Sequence, residues 1–220
     1  MYTSTDAIIL KNIPYKESSI ISRIFTHHHG KISIIFKGAK RAKNNISGII
    51  EPGNLVSITY YNNVSSLKTS REVQIKKIYY NTRKIIDNYY YTMATISILD
   101  KLFHENHPEP NIFTLSTRIF DDIDNEKANI DVIFTYFLFQ LSKLLGFQLI
   151  YPNLENVLIS KLNKEESDIS EIQKVLSNDK DLLKKIKMLI YKHYKEHIID
   201  LNELPTIKAL KNYGKPLRSN

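Results

Sequence analysis

Strands in the first third of the chain and helices through the rest predict an α+β protein, a small barrel followed by an all-helical region. Three observations carry that prediction. Up to about residue 80 the apolar residues are β-branched and come in short runs broken by Gly, Pro and polar turns. From residue 81 the apolar residues recur every three or four positions instead. The charge changes at the same place: residues 1–80 hold 12 Lys+Arg against 4 Asp+Glu, and residues 81–220 hold 19 against 19. The whole formal excess of +8 therefore belongs to the first third.

Strands are expected over residues 5–13 and 18–26, separated by the turn-like Pro14-Tyr15-Lys16-Glu17. His27-His28-His29-Gly30 is a tight connection into a third strand over 31–39. A fourth, over 55–62, follows the Pro52-Gly53 breaker, and a fifth, over 67–79, is long enough to require a bend. Five strands with one long excursion between the third and fourth fit the OB-fold, a five-stranded barrel that binds single-stranded nucleic acid. Helical spacing through Ile85, Tyr89, Met93, Ile96 and Leu99 predicts a helix to about residue 105, stopped by His107-Pro108-Glu109-Pro110. Further helices are expected over 111–123, 130–147, 168–176, 181–197 and 205–210, with 149–164 irregular around Pro152. The expected division is an OB-fold over 1–80 and an all-helical domain over 81–220.

Composition narrows the class. With 220 residues, 42% hydrophobic and 25% charged, the chain is of globular type. No cysteine is present, which excludes disulfides and thiolate metal sites and suits a reducing cytoplasm. The first ten residues lack a basic leader and carry Asp6 ahead of a short apolar run, so no signal peptide is expected. The most apolar window, 132–147, is interrupted by Gln140, Ser142 and Lys143 and falls short of a membrane span.

The stretch GKISIIFKGAKR, residues 30–41, passes abruptly from an apolar strand to a small, cationic turn. It delivers Lys37, Lys40 and Arg41, with Lys43 just beyond, to the end of a strand, and Gly38 and Ala39 leave the backbone open to close approach. Clustered cations of this kind suit a polyanion, because neutralising phosphates releases counterions. Lys11, Lys16 and Arg23 are candidates to extend the track. Phe36, Tyr60, Tyr61, Tyr79 and Tyr80 lie near these cations in sequence, and one or two exposed rings would suffice for stacking bases. Other constellations read as structural. Three consecutive histidines cannot all face one ion from a tight turn. His193 and His197 share a helix face in the order HYKEH, which lacks the HExxH arrangement. Asp121, Asp122 and Asp124 read as a solvated helix end. With no phosphate-binding glycine loop and no nucleophile paired with a base, no enzymatic activity is expected.

Residues 5–58 resemble the N-terminal domain of the bacterial RecO family of recombination mediators. The matching pieces are Thr5-Asp6-Ala7-Ile8-Ile9-Leu10-Lys11, Tyr15 with Glu17-Ser18, Thr26 with Gly30-Lys31, Lys37-Gly38-Ala39-Lys40-Arg41, and Gly48 followed by Glu51-Pro52. The helical half matches more loosely, through its position and Leu144-Leu145-Gly146-Phe147. The resemblance implies an OB-fold with a C-terminal helical domain and binding of single- and double-stranded DNA. It also implies strand annealing and, with RecR, loading of the RecA recombinase onto strands coated by single-strand-binding protein (SSB). The acidic SSB tail would dock on the helical domain, where Lys184, Lys185 and Lys187 are candidate contacts. A cytoplasmic protein, at the nucleoid during repair, is implied. Many members carry a four-cysteine zinc site after the Leu-Gly-Phe segment; residues 148–163 have no cysteine, so no zinc and no other cofactor is expected here. The alternative reading is a protein-interaction module whose basic OB-like domain binds an acidic protein.

Overall fold

The computed structural model describes residues 1–41, 43–149, 169–177 and 180–213. The barrel strands are β1 (Tyr2–Tyr15), β2 (Ser19–Thr26), β3 (Gly30–Phe36), β4 (Leu55–Tyr61) and β5 (Leu67–Lys77), with a one-turn helix α1 (Ile46–Ile49) between β3 and β4. They close in the order β1-β2-β3-β5-β4, and β3 pairs with β5 in parallel over three positions. This is the OB-fold arrangement expected from the strand count. The bend expected in the fifth strand takes the form of register shifts between β4 and β5 at Leu55/Val56 and Thr59/Tyr60. The third strand ends at Phe36, three residues short of the expected end, because Gly38 turns the chain at φ +71.

Alternation decides which side of each strand is core. Ala7, Ile9, Ile24, Ile32, Ile34, Phe36, Val56, Ile58 and Tyr60 point inward and are closed off from solvent. α1 stoppers the barrel: Ile46, Ile49 and Ile50 pack on that core. Asn54 ties it down by donating to the carbonyls of Gly48 (3.1 Å) and Ile49 (2.9 Å), and Asn12 donates to Ile50 (2.9 Å). These bonds satisfy polar groups at the barrel mouth that burial would otherwise penalise.

The helices are α2 (Tyr80–Lys84), α3 (Ile86–Leu102), α4 (Pro110–Asp124), α5 (Ile130–Leu144), α6 (Ile169–Ser177), α7 (Lys180–His197) and α8 (Pro205–Tyr213), with a 3-10 turn at Leu201–Glu203. The first helical stretch, expected from about residue 81 to about 105, comes in two pieces and ends at Leu102. Asp124 fixes its start: its carboxylate accepts from the backbone N–H groups of Asn81 (2.8 Å) and Thr82 (3.2 Å) at the head of α2. α5 is buried along most of its length, from Val132 to Ser142, as its apolar composition requires. Tyr194 of α7 donates its buried hydroxyl to the Leu138 carbonyl at 2.7 Å, and burial holds that phenol well above its ordinary pKa.

By contact the chain falls into two compact units: Met1–Tyr79 with Ile96–Thr117, and Tyr80–Thr95 with Arg118–Asn220. The first unit therefore includes helical chain as well as the barrel. Among the described residues no helix is long and apolar enough to cross a membrane.

Candidate nucleic-acid interface

Lys16, Lys37, Lys40 and Arg41, among the cations singled out in the sequence, meet at one end of the barrel. β1 runs out through Lys11, Ile13 and Tyr15, alternate residues that all face solvent. Lys16 follows at φ 47, a left-handed turn residue, and its ammonium lies 5.5 Å from the Tyr15 ring centroid. Facing this turn is the β3–α1 turn. The two are stitched together by the Lys40 N–H to the Ser18 carbonyl (3.0 Å) and the Lys40 ammonium to the Lys16 carbonyl (3.0 Å). The second turn is braced internally: Arg41 N–H donates to Gly38 (3.0 Å), and the Asn44 amide also reaches Gly38 (3.1 Å). A cleft of about 390 Å³ lies between them, lined by Tyr15, Lys16, Lys37 and Arg41 among others. Lys37, Lys40, Arg41 and Lys43 are all exposed. Glu17 lies in the first turn, so the patch is strongly but not uniformly positive. A braced backbone carrying exposed cations can take phosphates without first ordering a loop.

Several residues stand elsewhere than the sequence reading placed them. Arg23 pairs across the strands with Lys11, but its guanidinium is held by Asp100 at 2.9 Å and is not part of the cleft. Ala39 is fully buried: its small size serves packing under the turn, not approach to a ligand. Phe36, Tyr60 and Tyr79 are buried too and cannot stack on a base, whereas Tyr61 is 45% exposed. Tyr15 was missed as a candidate ring; the alternation of Lys11, Ile13 and Tyr15 was the signal for it.

The acidic cluster is not a solvated helix end. Asp122 is 1% exposed, with Lys127 at 2.7 Å and Arg118 at 3.8 Å, and Asp124 caps α2. These carboxylates are committed to structure. The three histidines form the β2–β3 turn, where His27 meets Phe113 edge-on and His29 meets Tyr60. His193 and His197 lie ring to ring at 4.8 Å, with the His193 Nε2 2.9 Å from the Phe147 carbonyl. Among the described residues no group of three or more His, Asp or Glu is arranged to hold a metal ion. The cysteine-free segment expected to replace a zinc site lies, from residue 150 to 163, outside the described residues.

In the second unit a cavity of about 800 Å³ is lined by Tyr91, Phe134, Met188 and Leu210, with Lys187 and Lys211 beside them. Lys187 pairs with Asp131 at 2.5 Å, and the Tyr91 hydroxyl donates to the same carboxylate. Burial first, and then Asp131, raise the Tyr91 pKa far above its ordinary value; the same causes push Tyr191 up to about 12. Lys184 and Lys185 are exposed on α7, and Lys184 lies one turn from Met188 on the same face.

Comparison with known proteins agrees with this architecture. The family model described as "Recombination protein O N terminal" matches residues 1–79, and that described as "Recombination protein O C terminal" matches residues 83–180. Curated relatives that match bear the name DNA repair protein RecO. That of Prosthecochloris aestuarii is 27% identical over 161 residues, covering 73% of this chain and 60% of its own. That of Salinibacter ruber is 25% identical over 167 residues (76% and 63%), and that of Pelodictyon phaeoclathratiforme 31% over 166 residues (73% and 60%). The chain spans about three fifths of the length of these relatives. With a closed five-stranded barrel where the N-terminal model matches and helices where the C-terminal one does, this chain belongs to the RecO family.

Proposed function

We propose that this chain acts in DNA repair as a non-enzymatic mediator. It binds single- and double-stranded DNA, anneals complementary strands and, with RecR, helps RecA load onto SSB-coated strands. The observation that carries this reading is the braced cleft at the barrel end, lined by Tyr15, Lys16, Lys37 and Arg41, with Lys40 tying its two turns together. Annealing needs two strands held by their phosphates with the bases left free to pair, and makes or breaks no covalent bond. Cations on a preformed turn meet that requirement. The barrel portion is the DNA-binding part and the helical portion the protein-docking part, in keeping with the concentration of net charge in residues 1–80.

A salt titration tests it. Binding to a single-stranded oligonucleotide is measured as log K against log[salt] for the chain and for a variant with Lys37, Lys40, Arg41 and Lys43 all changed to Ala. The slope should fall by about 3, at ~0.7 per phosphate contact on a single strand. An unchanged slope in a folded variant removes this turn from the site. Binding of an acidic peptide at the same residues, without oligonucleotide binding, favours a protein-interaction module instead.

A further inference from the structure

Five-stranded barrels of this topology ordinarily present nucleic acid to the outer face of β2 and β3. In this chain residues 96–117 cover much of that face. Phe25 of β2 stacks on Phe103, with 5.2 Å between centroids, and lies 6.1 Å from Phe113. Lys31 of β3 is buried and donates to the Asp100 carbonyl at 2.6 Å, while Arg23 grips the Asp100 carboxylate. Ser33 donates to Glu105 at 3.1 Å. A Cβ added at Gly30 would stand 2.0 Å from the His107 carbonyl oxygen, so the covering chain lies directly on the strand. Base stacking over this part of the barrel is blocked.

The outer face of β1, β4 and β5 lies on the other side of the closed sheet. Its outward residues are small or polar along most of its length, with Ser4 and Thr59 hydrogen-bonded at 2.8 Å. At one end it becomes aromatic and cationic. Tyr2 and Tyr61 are register partners, 50% and 45% exposed, with rings edge to face at 5.7 Å. The Arg71 guanidinium lies 4.4 Å from the Tyr2 ring centroid, and Arg71 is itself exposed. Val64, in the adjoining β4–β5 connection, is fully exposed. A ring kept for packing is usually covered; these two present about half their surface to water. Exposed rings with a planar guanidinium beside them are the combination that stacks unpaired bases while opposing backbone charge.

We propose that Tyr2, Tyr61 and Arg71 form a base-stacking subsite for single-stranded nucleic acid, separate from the cationic cleft. It rests on the DNA-binding reading above and adds a second point of contact to it. The two lie at opposite ends of β1, up to roughly 40 Å apart along the strand. The cleft grips phosphate and ignores base identity, whereas the platform requires that bases be unpaired. A strand that engages both is thereby distinguished from duplex, which has no free base faces to offer.

The test compares the full chain's affinity for an oligothymidylate with that for an abasic deoxyribose-phosphate oligomer of equal length and charge, at one salt concentration. The chain should prefer the oligomer with bases, and the double variant Tyr2→Ala/Tyr61→Ala should lose about tenfold of that preference with its salt slope unchanged. Tyr2→Phe/Tyr61→Phe, which keeps the rings, should retain the preference and shows that the Ala effect is not one of folding. Arg71→Gln should weaken both ligands, the one with bases more. Equal affinity for the two oligomers, or an undiminished preference in the folded Ala variant, overturns the subsite while leaving the cleft standing. Binding of neither oligomer overturns the DNA-binding reading itself.

Discussion

Two glycines show how the same backbone conformation carries different penalties. Gly30 and Gly38 both sit at positive φ, +65 and +71. At Gly30 a methyl would also strike the His107 backbone, which cannot swing aside, whereas at Gly38 the nearest atom is the Asn44 amide nitrogen at 3.4 Å. Gly30→Ala should therefore lower stability by about 3 kcal/mol, and Gly38→Ala by only about 1 kcal/mol, read as shifts of the urea midpoint. His29 makes a second prediction at this scale. Desolvation, and then the neighbouring His28, hold its pKa below the ordinary 6.5. The unfolded chain takes up the proton first as pH falls, so this contribution is intact above about 6.5 and is lost progressively below it. Replacing His29 by Gln should flatten the stability profile between about pH 7 and pH 5; an unaltered profile means the ring is not held neutral.

At the scale of elements, the first unit depends on a small ionic lock. Asp100 of α3 accepts from Arg23 of β2 and lies 3.7 Å from Lys31 of β3, so one carboxylate fastens helix to sheet. The Asp100→Asn substitution leaves two cations facing a neutral amide, and we expect a loss of about 2 kcal/mol in thermal or urea unfolding. The amphipathic spacing made α4 legible, expected at 111–123 and found at Pro110–Asp124. What spacing could not reveal was the cap of α2, since Asp124 supplies it from 43 residues away. Likewise Arg23 looked like a surface cation because its partner, Asp100, is remote in sequence.

For the molecule as a whole, two expectations concern what it binds. The chain has no cysteine, and we expect it to fold without metal: elemental analysis of chelator-washed protein should find no stoichiometric zinc. The second is capture of the acidic SSB tail by the helical portion. The cavity of the second unit sets apolar side chains, Phe134, Met188 and Leu210, beside Lys187 and Lys211, a pairing suited to an aromatic terminus flanked by carboxylates, with Asp87 and Asp131 in the same lining and Asp131 already holding Lys187. A tail peptide should bind weakly and with salt sensitivity, lose binding when its terminal Phe is removed, and weaken about tenfold when Lys184, Lys185 and Lys187 are changed to Ala. Tail binding that ignores the Phe and follows the Lys37–Arg41 turn instead would place the peptide on the barrel by charge alone.

Local pattern by itself determined the five strands, the switch to helices near residue 80, the cationic turn after the third strand and its neighbour at Lys16. Each of these is written in adjacent residues, as β-branched runs, helical spacing or a cluster of like charge. Only the tertiary structure decided which cations remain open and which rings meet water. Strand register and the packing of residues 96–117 on β2 and β3 bury Phe25 and engage Arg23. Ring closure between β1 and β4 brings Tyr2 beside Tyr61, 59 positions apart. Such pairings are long-range, and no short window of sequence contains both partners.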